Sequence, residues 1–226
     1  MEKKKNEFII KDGKLIGIIC NEKTVDIPSE VTELMPGNTY RLPEIERLTI
    51  PSTVKEIPEY AFLGLNADKV ILEEGVSKVG RRAFHENCFI KELLLPESLI
   101  SIGECAFSCS MIKELVIPEN VRFIDDYAFC DCPILEKITI KSKCFKSGIQ
   151  IFNTQGKGNS LKEVILYDKV YHTLPTGTFE SPESIRFVNI YELPKEASLF
   201  ITETDDETII RNRTHDKRIK GEHIAI

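Results

Sequence analysis

The sequence lacks both an excess of positive charge and a long hydrophobic run. It contains 30 lysine and arginine residues against 36 aspartate and glutamate residues, a net charge of −6. A nucleic-acid-binding surface is typically basic because it must attract phosphates, so no nucleic-acid partner is expected. No stretch approaches the roughly 20 apolar residues that cross a bilayer, so no membrane-spanning segment is expected.

The N-terminus, MEKKKNEFIIKDGKLIGIICNE, places lysines before apolar residues, as a signal peptide does. However, Lys11, Asp12 and Lys14 interrupt the apolar run before it reaches the usual length, and no small-residue cleavage site follows. As it stands, the sequence predicts a cytoplasmic protein. A cell-surface location is the alternative if a native signal peptide was removed.

The sequence also lacks the motifs of a catalytic or cofactor site. Residues 156–160, GKGNS, do not have the GxxxxGK[ST] spacing of a phosphate-binding loop. The histidines are scattered, and none has a serine, cysteine or carboxylate partner at a recognisable spacing: His85, His172, His215 and His223. Paired acids such as Glu73-Glu74 fall in predicted turns, and none belongs to a series long enough for a calcium loop. We therefore expect no enzymatic activity and no cofactor.

Four of the seven cysteines lie in two short segments, GECAFSC at 103–109 and DDYAFCDC at 125–132. One interpretation is a zinc or redox site assembled from neighbouring coils. Against it, the sequence has no CxxC pair and an odd number of cysteines. The other interpretation is packing, because a reduced cysteine behaves as a small buried hydrophobe. The absence of a disulfide spacing pattern also favours a reducing compartment.

The strongest pattern is an internal repeat. Apolar-x-apolar triplets begin at Leu48, Val70, Leu93 and Leu115, which are 22 or 23 residues apart. An Ala-Phe pair recurs in the same register in each unit, at 61/62, 83/84, 106/107 and 128/129. Weaker units extend this register, with triplets at Val25, Ile138, Val164 and Val188. In these units Tyr40 and the pair Ile151-Phe152 fall at or near the Ala-Phe position.

Each position of the unit has a physical role. The triplet alternates as a short strand does, with its outer members facing the core and its middle member facing away. A proline often follows and ends the strand, because it cannot donate a hydrogen bond to a neighbouring strand. Apolar pairs three residues apart then point into the core: Val54/Ile57, Val76/Val79, Leu99/Ile102 and Val121/Ile124. No unit buries these residues alone, so the coils must stack.

This pattern predicts a mostly β, right-handed repeat solenoid with a parallel sheet on one face and short turn or 3-10 segments elsewhere. We expect one domain over residues 1–226. Residues 7–22 form an N-terminal capping hairpin around Asp12-Gly13, because the exposed end of a stacked sheet needs a cover. Residues 23–194 form the repeats, and residues 195–226 form a C-terminal cap and tail with a hairpin around Asp205-Asp206.

The unit LxIPxxVxxIGxxAFxxC, seen nearly complete in LLLPESLISIGECAFSC, resembles the BspA-like class of bacterial leucine-rich repeats. The resemblance covers roughly residues 20 to 190. It implies a leucine-rich repeat solenoid and a non-enzymatic role in binding other macromolecules. Many members are exported surface proteins that adhere to host or bacterial partners, so an adhesin that recognises host matrix or a glycan is the alternative function.

The outward side of the predicted concave sheet is the candidate binding site for a protein partner. The middle triplet residues and the residues before each triplet point outward from it and form an apolar stripe with flanking charges. These positions are Arg47, Thr49, Lys69, Ile71, Glu92, Leu94, Glu114, Val116, Lys137, Thr139, Glu163 and Ile165. The same register adds Phe187 and Asn189 at the end. Aliphatic residues also simply suit strands, and self-association is a second way to cover the stripe.

Overall fold

The computed structural model of the protein describes residues 5–37, 40, 42–142, 146–153, 160–167, 178 and 185–189. These residues contain sixteen short strands and no helix. The strands are β1 Glu7–Lys11, β2 Lys14–Ile19, β3 Thr24–Asp26, β4 Glu33–Leu34, β5 Ile45–Ile50, β6 Glu56–Ile57, β7 Ala67–Leu72, β8 Lys78–Val79, β9 Glu92–Leu94, β10 Ser101–Ile102, β11 Glu114–Ile117, β12 Phe123–Ile124, β13 Lys137–Ile140, β14 Lys146–Ser147, β15 Glu163–Leu166 and β16 Arg186–Asn189. Coils of the repeat stack through parallel strands, which confirms the predicted solenoid.

Each triplet forms a strand, and within each of two sheets these strands pair in parallel from one coil to the next. The first four triplet strands form one sheet in the order β3-β5-β7-β9, and the last four triplet strands form another in the order β11-β13-β15-β16. Leu48, for example, pairs with both Val25 and Val70. The strand hydrogen bonding is interrupted at one point, because β9 and β11 are not paired although all residues between them are described.

The predicted register is also wrong in the last strand by one residue. Phe187, rather than Val188, pairs with Val164, and Val188 pairs with Ile165. Phe187 is therefore an inward residue and is buried, where the sequence pattern had placed it outward. Val188 takes the outward position, because a shift of one residue exchanges the two faces of a strand.

The coils also stack through a separate parallel sheet in the order β14-β12-β10-β8-β6, which we call the second sheet. Its two-residue strands contain the second member of each predicted apolar pair, for example Ile57 and Ile102. The members of all four pairs are buried, as predicted. The sequence pattern missed the sheet itself, because two residues are too few for an alternating pattern to appear.

The Ala-Phe pairs form the centre of the core. The alanines are fully buried, and the aromatic rings make a column along the stacking direction. Successive centroids lie 5.1 Å apart for Tyr40–Phe62, 5.3 Å for Phe62–Phe84, 5.2 Å for Phe84–Phe107, 5.4 Å for Phe107–Phe129 and 5.7 Å for Phe129–Phe152. Tyr40 and Phe152 thus occupy the aromatic position at the two ends of the column within the described residues, as the repeat register predicts.

A residue with a left-handed backbone conformation directly precedes each of the four Ala-Phe pairs and the pair Ile151-Phe152. These residues have φ between 50° and 58°: Tyr60, Arg82, Cys105, Tyr127 and Gln150. Such a conformation is uncommon for residues other than glycine, and it turns the chain sharply. The amide of Phe84 then donates to the carbonyl oxygen of Ala106 at 2.9 Å, and the amide of Phe107 donates to that of Ala128 at 2.8 Å. The turns therefore stack by backbone hydrogen bonds, as the strands do.

Acidic residues in the turns also join neighbouring coils. The carboxylate of Glu74 accepts hydrogen bonds from the amides of Glu97 at 2.8 Å and Ser98 at 3.1 Å in the next coil. The carboxylate of Asp126 accepts one from the amide of Ile149 at 2.8 Å. These acids replace the hydrogen bonds that the irregular turns do not make with each other.

The N-terminal strands β1 and β2 pair antiparallel, and β2 continues in parallel with β4. Asp12 and Gly13 connect β1 to β2 with φ of 51° and 75°, the left-handed pair of a tight hairpin turn. Leu15 of β2 is fully buried against the core, so the hairpin covers this end of the stack. Several predictions fall outside the described residues: the C-terminal cap and tail over 195–226 with its Asp205-Asp206 turn, loop residues 156–159, and His172, His215 and His223.

Candidate protein-binding face

Two outward rows of side chains cross the triplet strands, and together we call them the strand face. The charged row consists of the residues before the triplets, Thr24, Arg47, Lys69, Glu92, Glu114, Lys137, Glu163 and Arg186. The central row consists of the middle residues of the triplets, Asp26, Thr49, Ile71, Leu94, Val116, Thr139, Ile165 and Val188. All twelve residues that the sequence pattern assigned to the binding site lie on these two rows.

Four members of the rows were not among the predicted site residues: Thr24, Asp26, Arg186 and Val188. Asp26 could have been predicted from the sequence, because the repeat register places it in the middle of the triplet Val25-Asp26-Ile27. Arg186 and Val188 were missed for a different reason, namely the one-residue shift in the last strand.

Leu94 and Val116 are the most exposed apolar residues of the central row, at 48% and 45%. They lie on β9 and β11, so they flank the break between the two sheets. Ile71, Thr49 and Thr139 are partly buried. The apolar stripe is therefore centred on the break.

Ile165 departs from the prediction that it is an exposed part of the stripe. Its exposure is 8%, and it forms a small cluster with Val188, apart from the main core. The physical reason is the position of β16, which places Val188 directly beside Ile165 on the outward side. The accessible stripe therefore consists of Ile71, Leu94 and Val116.

The charged row is largely paired, either along its own length or, for Arg47, with Asp26 of the central row. Arg47 binds Asp26 through two nitrogen–oxygen contacts of 2.7 and 3.3 Å, and Lys69 binds Glu92 at 2.6 Å. In the sheet β11-β13-β15-β16, Glu163 lies 2.9 Å from Lys137 and 3.7 Å from Arg186. Exposed ion pairs contribute little stability, so their main effect is to present charges of both signs at defined positions.

Two of these pairs change the pKa of their members. Partial burial acts to raise the pKa of the Asp26 carboxyl, but hydrogen bonds from Arg47 and Thr49, together with the positive charge of Arg47, outweigh it and lower the pKa. The hydrogen bond to Glu163 raises the pKa of Lys137. Both residues thus remain charged around neutral pH.

The cysteines of segments 103–109 and 125–132 lie next to or close to the Ala-Phe pairs along the chain. Cys130 and Cys132 are buried, and the thiol of Cys132 is 3.6 Å from the carbonyl oxygen of Phe107. None of the six cysteines in the described part of the chain forms a disulfide bond. The same residues contain no group of three or more His, Cys, Asp or Glu side chains placed to hold a metal ion. The positions of the buried pair fit the packing interpretation.

The structure brings together one arrangement that sequence spacing did not reveal. Nδ1 of His85 is hydrogen-bonded to the hydroxyl of Ser108, and its Nε2 lies 3.7 Å from the carboxylate of Glu86. Burial lowers the pKa of His85, with Glu86 acting in the opposite direction. A nucleophile must be reachable by substrate, whereas Ser108 is buried and its hydroxyl also donates to the carbonyl oxygen of Cys105 at 3.2 Å. This arrangement ties two coils together.

Stacked coils with parallel triplet strands and an aromatic column define a leucine-rich repeat solenoid. The model of the BspA type leucine-rich repeat region matches residues 35–157 and 86–197, in six copies. The chain belongs to this family, as the repeat unit predicts. Proteins of this family are commonly interaction modules or surface antigens. No curated protein sequence matches the chain.

Two crystal structures share the fold. The pneumococcal vaccine antigen PcpA is 24% identical with a TM-score of 0.55, over 75% of this chain and 51% of that one. A leucine-rich repeat protein of T. pallidum is 22% identical with a TM-score of 0.50, over 64% of this chain and 84% of that one. The chain thus spans about half the length of the pneumococcal protein. Over the described residues, no helix has the length and apolar character needed to cross a membrane.

Proposed function

We propose that the protein is a non-enzymatic interaction module that binds a protein partner on the strand face, which we expect to be the concave side of the solenoid. The observation that carries the proposal is the exposure of Leu94 and Val116 in the middle of a row flanked by charges of both signs. Protein interfaces combine an apolar centre with a polar rim, and the strand face has this composition. The fixed ion pairs would orient a partner, while the apolar residues would supply most of the binding energy.

A pair of substitutions tests this proposal. Leu94→Asp with Val116→Asp places two charges in the centre of the stripe, and both positions are exposed enough for the fold to persist. The chain offers a matched control, Ile100→Asp with Phe123→Asp. These residues are similarly exposed, at 44% and 48%, but lie at the second sheet, with Phe123 in β12 and Ile100 directly before β10.

The measurement is quantitative affinity capture from the source organism with each variant as bait, after circular dichroism has shown equal folding. A partner that is retained by the wild type and the control variant, but reduced at least about tenfold with the strand-face variant, supports the proposal. Equal retention by all three proteins contradicts it. Loss of partner retention with the control variant alone would place the binding site at the second sheet.

A second function uses the same fold outside the cell, as an adhesin that recognises host matrix or a glycan. It is favoured by the pneumococcal relative, which is described as a vaccine antigen. Antibody labelling of intact and permeabilised cells separates the two, since labelling of intact cells requires a surface location.

A further inference from the structure

Strand β1 is the outermost strand at the N-terminal end of the solenoid. Its sheet has the order β1-β2-β4, so in the described part of the chain β1 is hydrogen-bonded along one edge only. Asn6 holds the start of the strand in place, because its side chain donates to the carbonyl oxygen of Thr24 at 2.7 Å and accepts from the amide of Asn21 at 2.8 Å. An open edge presents a row of backbone donors and acceptors that can pair with another strand.

The side chains of β1 alternate regularly. Glu7, Ile9 and Lys11 are exposed, whereas Phe8 and Ile10 face the core. The hairpin contains one bulge, but its extra residue, Ile16, belongs to β2, since Ile9 pairs with Gly17 and Ile10 with Leu15. The open edge therefore belongs to a strand with undisturbed alternation, which can accept a partner along its whole length.

The sequence of β1, EFIIK, is complementary to itself in the antiparallel direction. Residues that lie opposite each other in a sheet must point to the same face, so a two-fold axis perpendicular to the sheet can pass only between two copies of the same residue. Only an axis at Ile9 pairs all five residues. This register places Glu7 of each copy opposite Lys11 of the other, and Phe8 opposite Ile10.

The outer face of the hairpin supports the same contact. Ile9 is 51% exposed, and its Cδ1 lies 3.5 Å from the position that a Cβ on Gly17 would occupy. Ile16 and Ile19 of β2 are also exposed. Edge strands that remain single are usually protected by charges, whereas here the two charges are of opposite sign and symmetric about an exposed isoleucine.

We propose that two copies of the chain associate through antiparallel pairing of their β1 strands about Ile9. The partner is a second copy, because the charge pattern of the strand complements itself in the register that uses all five residues. The two solenoids then join at their N-terminal ends, and both strand faces stay open. The short contact predicts a reversible dimer.

Sedimentation velocity of the 226-residue chain over a series of concentrations tests the proposal. Glu7→Lys places two lysines opposite each other at both ends of the contact, and Lys11→Glu does the same with two glutamates. Each is expected to weaken dimerisation by about tenfold or more. The double variant Glu7→Lys with Lys11→Glu exchanges the charges and is expected to restore dimerisation to within about threefold of the wild type.

Glu46→Lys is the control, because it makes the same change of charge at an exposed position outside the hairpin. It should dimerise as the wild type does. The proposal is overturned if the wild type is a monomer at every concentration, if the single reversals have no effect, or if the double variant fails to recover. Loss of the dimer only with Leu94→Asp and Val116→Asp would overturn it too, and would place self-association on the strand face.

Discussion

The hydroxyl of Tyr40 donates a hydrogen bond of 2.7 Å to the carbonyl oxygen of Leu15. The hydroxyl oxygen of Tyr40 also accepts a hydrogen bond of 2.7 Å from the amide of Met35, while the tyrosine ring packs against Phe62. Tyr40 therefore connects the N-terminal hairpin to the aromatic column of the repeats. A phenylalanine at this position would fill the same space but leave the carbonyl of Leu15 and the amide of Met35 without this partner.

We expect Tyr40→Phe to lower the free energy of unfolding by about 1–3 kcal/mol, the typical cost of leaving buried polar groups unpaired. Urea denaturation followed by circular dichroism measures the change. Tyr167→Phe is the matched control, since Tyr167 is exposed and should alter stability by less than about 0.5 kcal/mol. Equal effects of the two substitutions would show that the buried hydroxyl has no special role.

Tyr40 also predicts a loss of stability at alkaline pH. Burial raises its pKa to about 12, with the charge of Glu33 in support and the hydrogen bond from Met35 acting against it. Tyrosine titrates near pH ~10 in an unfolded chain, so the stabilisation is complete below about pH 10 and is lost as the pH rises towards about 12. Tyrosinate absorbance should therefore show a late step that is missing in Tyr40→Phe. A single step for all tyrosines near pH ~10 would contradict this.

Truncation of Phe107, in the aromatic column, should greatly reduce stability. This residue is fully buried between Phe84 and Phe129. Phe107→Ala should cost about 3–5 kcal/mol in free energy of unfolding, because it leaves a cavity in the middle of the stack. Phe89→Ala provides the control, since Phe89 is 45% exposed and lies outside the column. A cost below about 1 kcal/mol for Phe107→Ala would mean that neighbouring coils collapse into the gap.

Gly103 lies where the backbones of two neighbouring coils approach each other closely. A Cβ atom at this position would lie 2.7 Å from the amide nitrogen of Arg81 and 2.8 Å from the carbonyl carbon of Gly80, both in the backbone of the preceding coil. Gly103→Ala should therefore destabilise the protein by about 1–3 kcal/mol, because the backbone must move. At Gly17 the nearest atom is the flexible end of Ile9, at 3.5 Å, so Gly17→Ala should be tolerated. Thermal denaturation of both variants measures the difference.

The cysteines should differ strongly in reactivity towards a thiol reagent. Burial raises the pKa of the Cys132 thiol to about 12, so almost no reactive thiolate forms near neutral pH. Cys88 is exposed and should react first. Mass spectrometry of the folded protein after a short labelling time should find label on Cys88, and on Cys132 only after denaturation. Rapid labelling of Cys132 in the folded protein would contradict its packing role.

The repeat could be predicted because each coil has the same physical task. Every coil must bury two outer triplet residues, an apolar pair and an aromatic ring, so the same residue types recur every 22 or 23 residues. This recurrence was enough to place Tyr40 and Phe152 in the aromatic column although their coils are degenerate. It was not enough at β16, where the alternation of apolar residues fits two registers that differ by one residue.

The candidate site was predicted in position but not in detail. The outward direction of the strand-face residues follows from the period of a strand, and the triplets already contain it. The break between β9 and β11, the burial of Ile165 and the ion pairs along the charged row depend on which strands lie side by side. The partner on this face, the division of the chain into a hairpin, repeats and a C-terminal cap, and the cytoplasmic location stay predictions.

By itself, the sequence determined the solenoid, the composition of its core and the side of the coil that faces outward, because the same apolar positions recur in each repeat unit and mark the buried side chains. The tertiary structure alone decided the second sheet of two-residue strands, the break between β9 and β11, the burial of Ile165 and the pairing of the charged row. In the described part of the chain, it also decided the open edge of β1. The reason is physical. The hydrophobic pattern of the sequence shows which side chains are buried, whereas hydrogen bonds and ion pairs between coils depend on which residues stacking brings together.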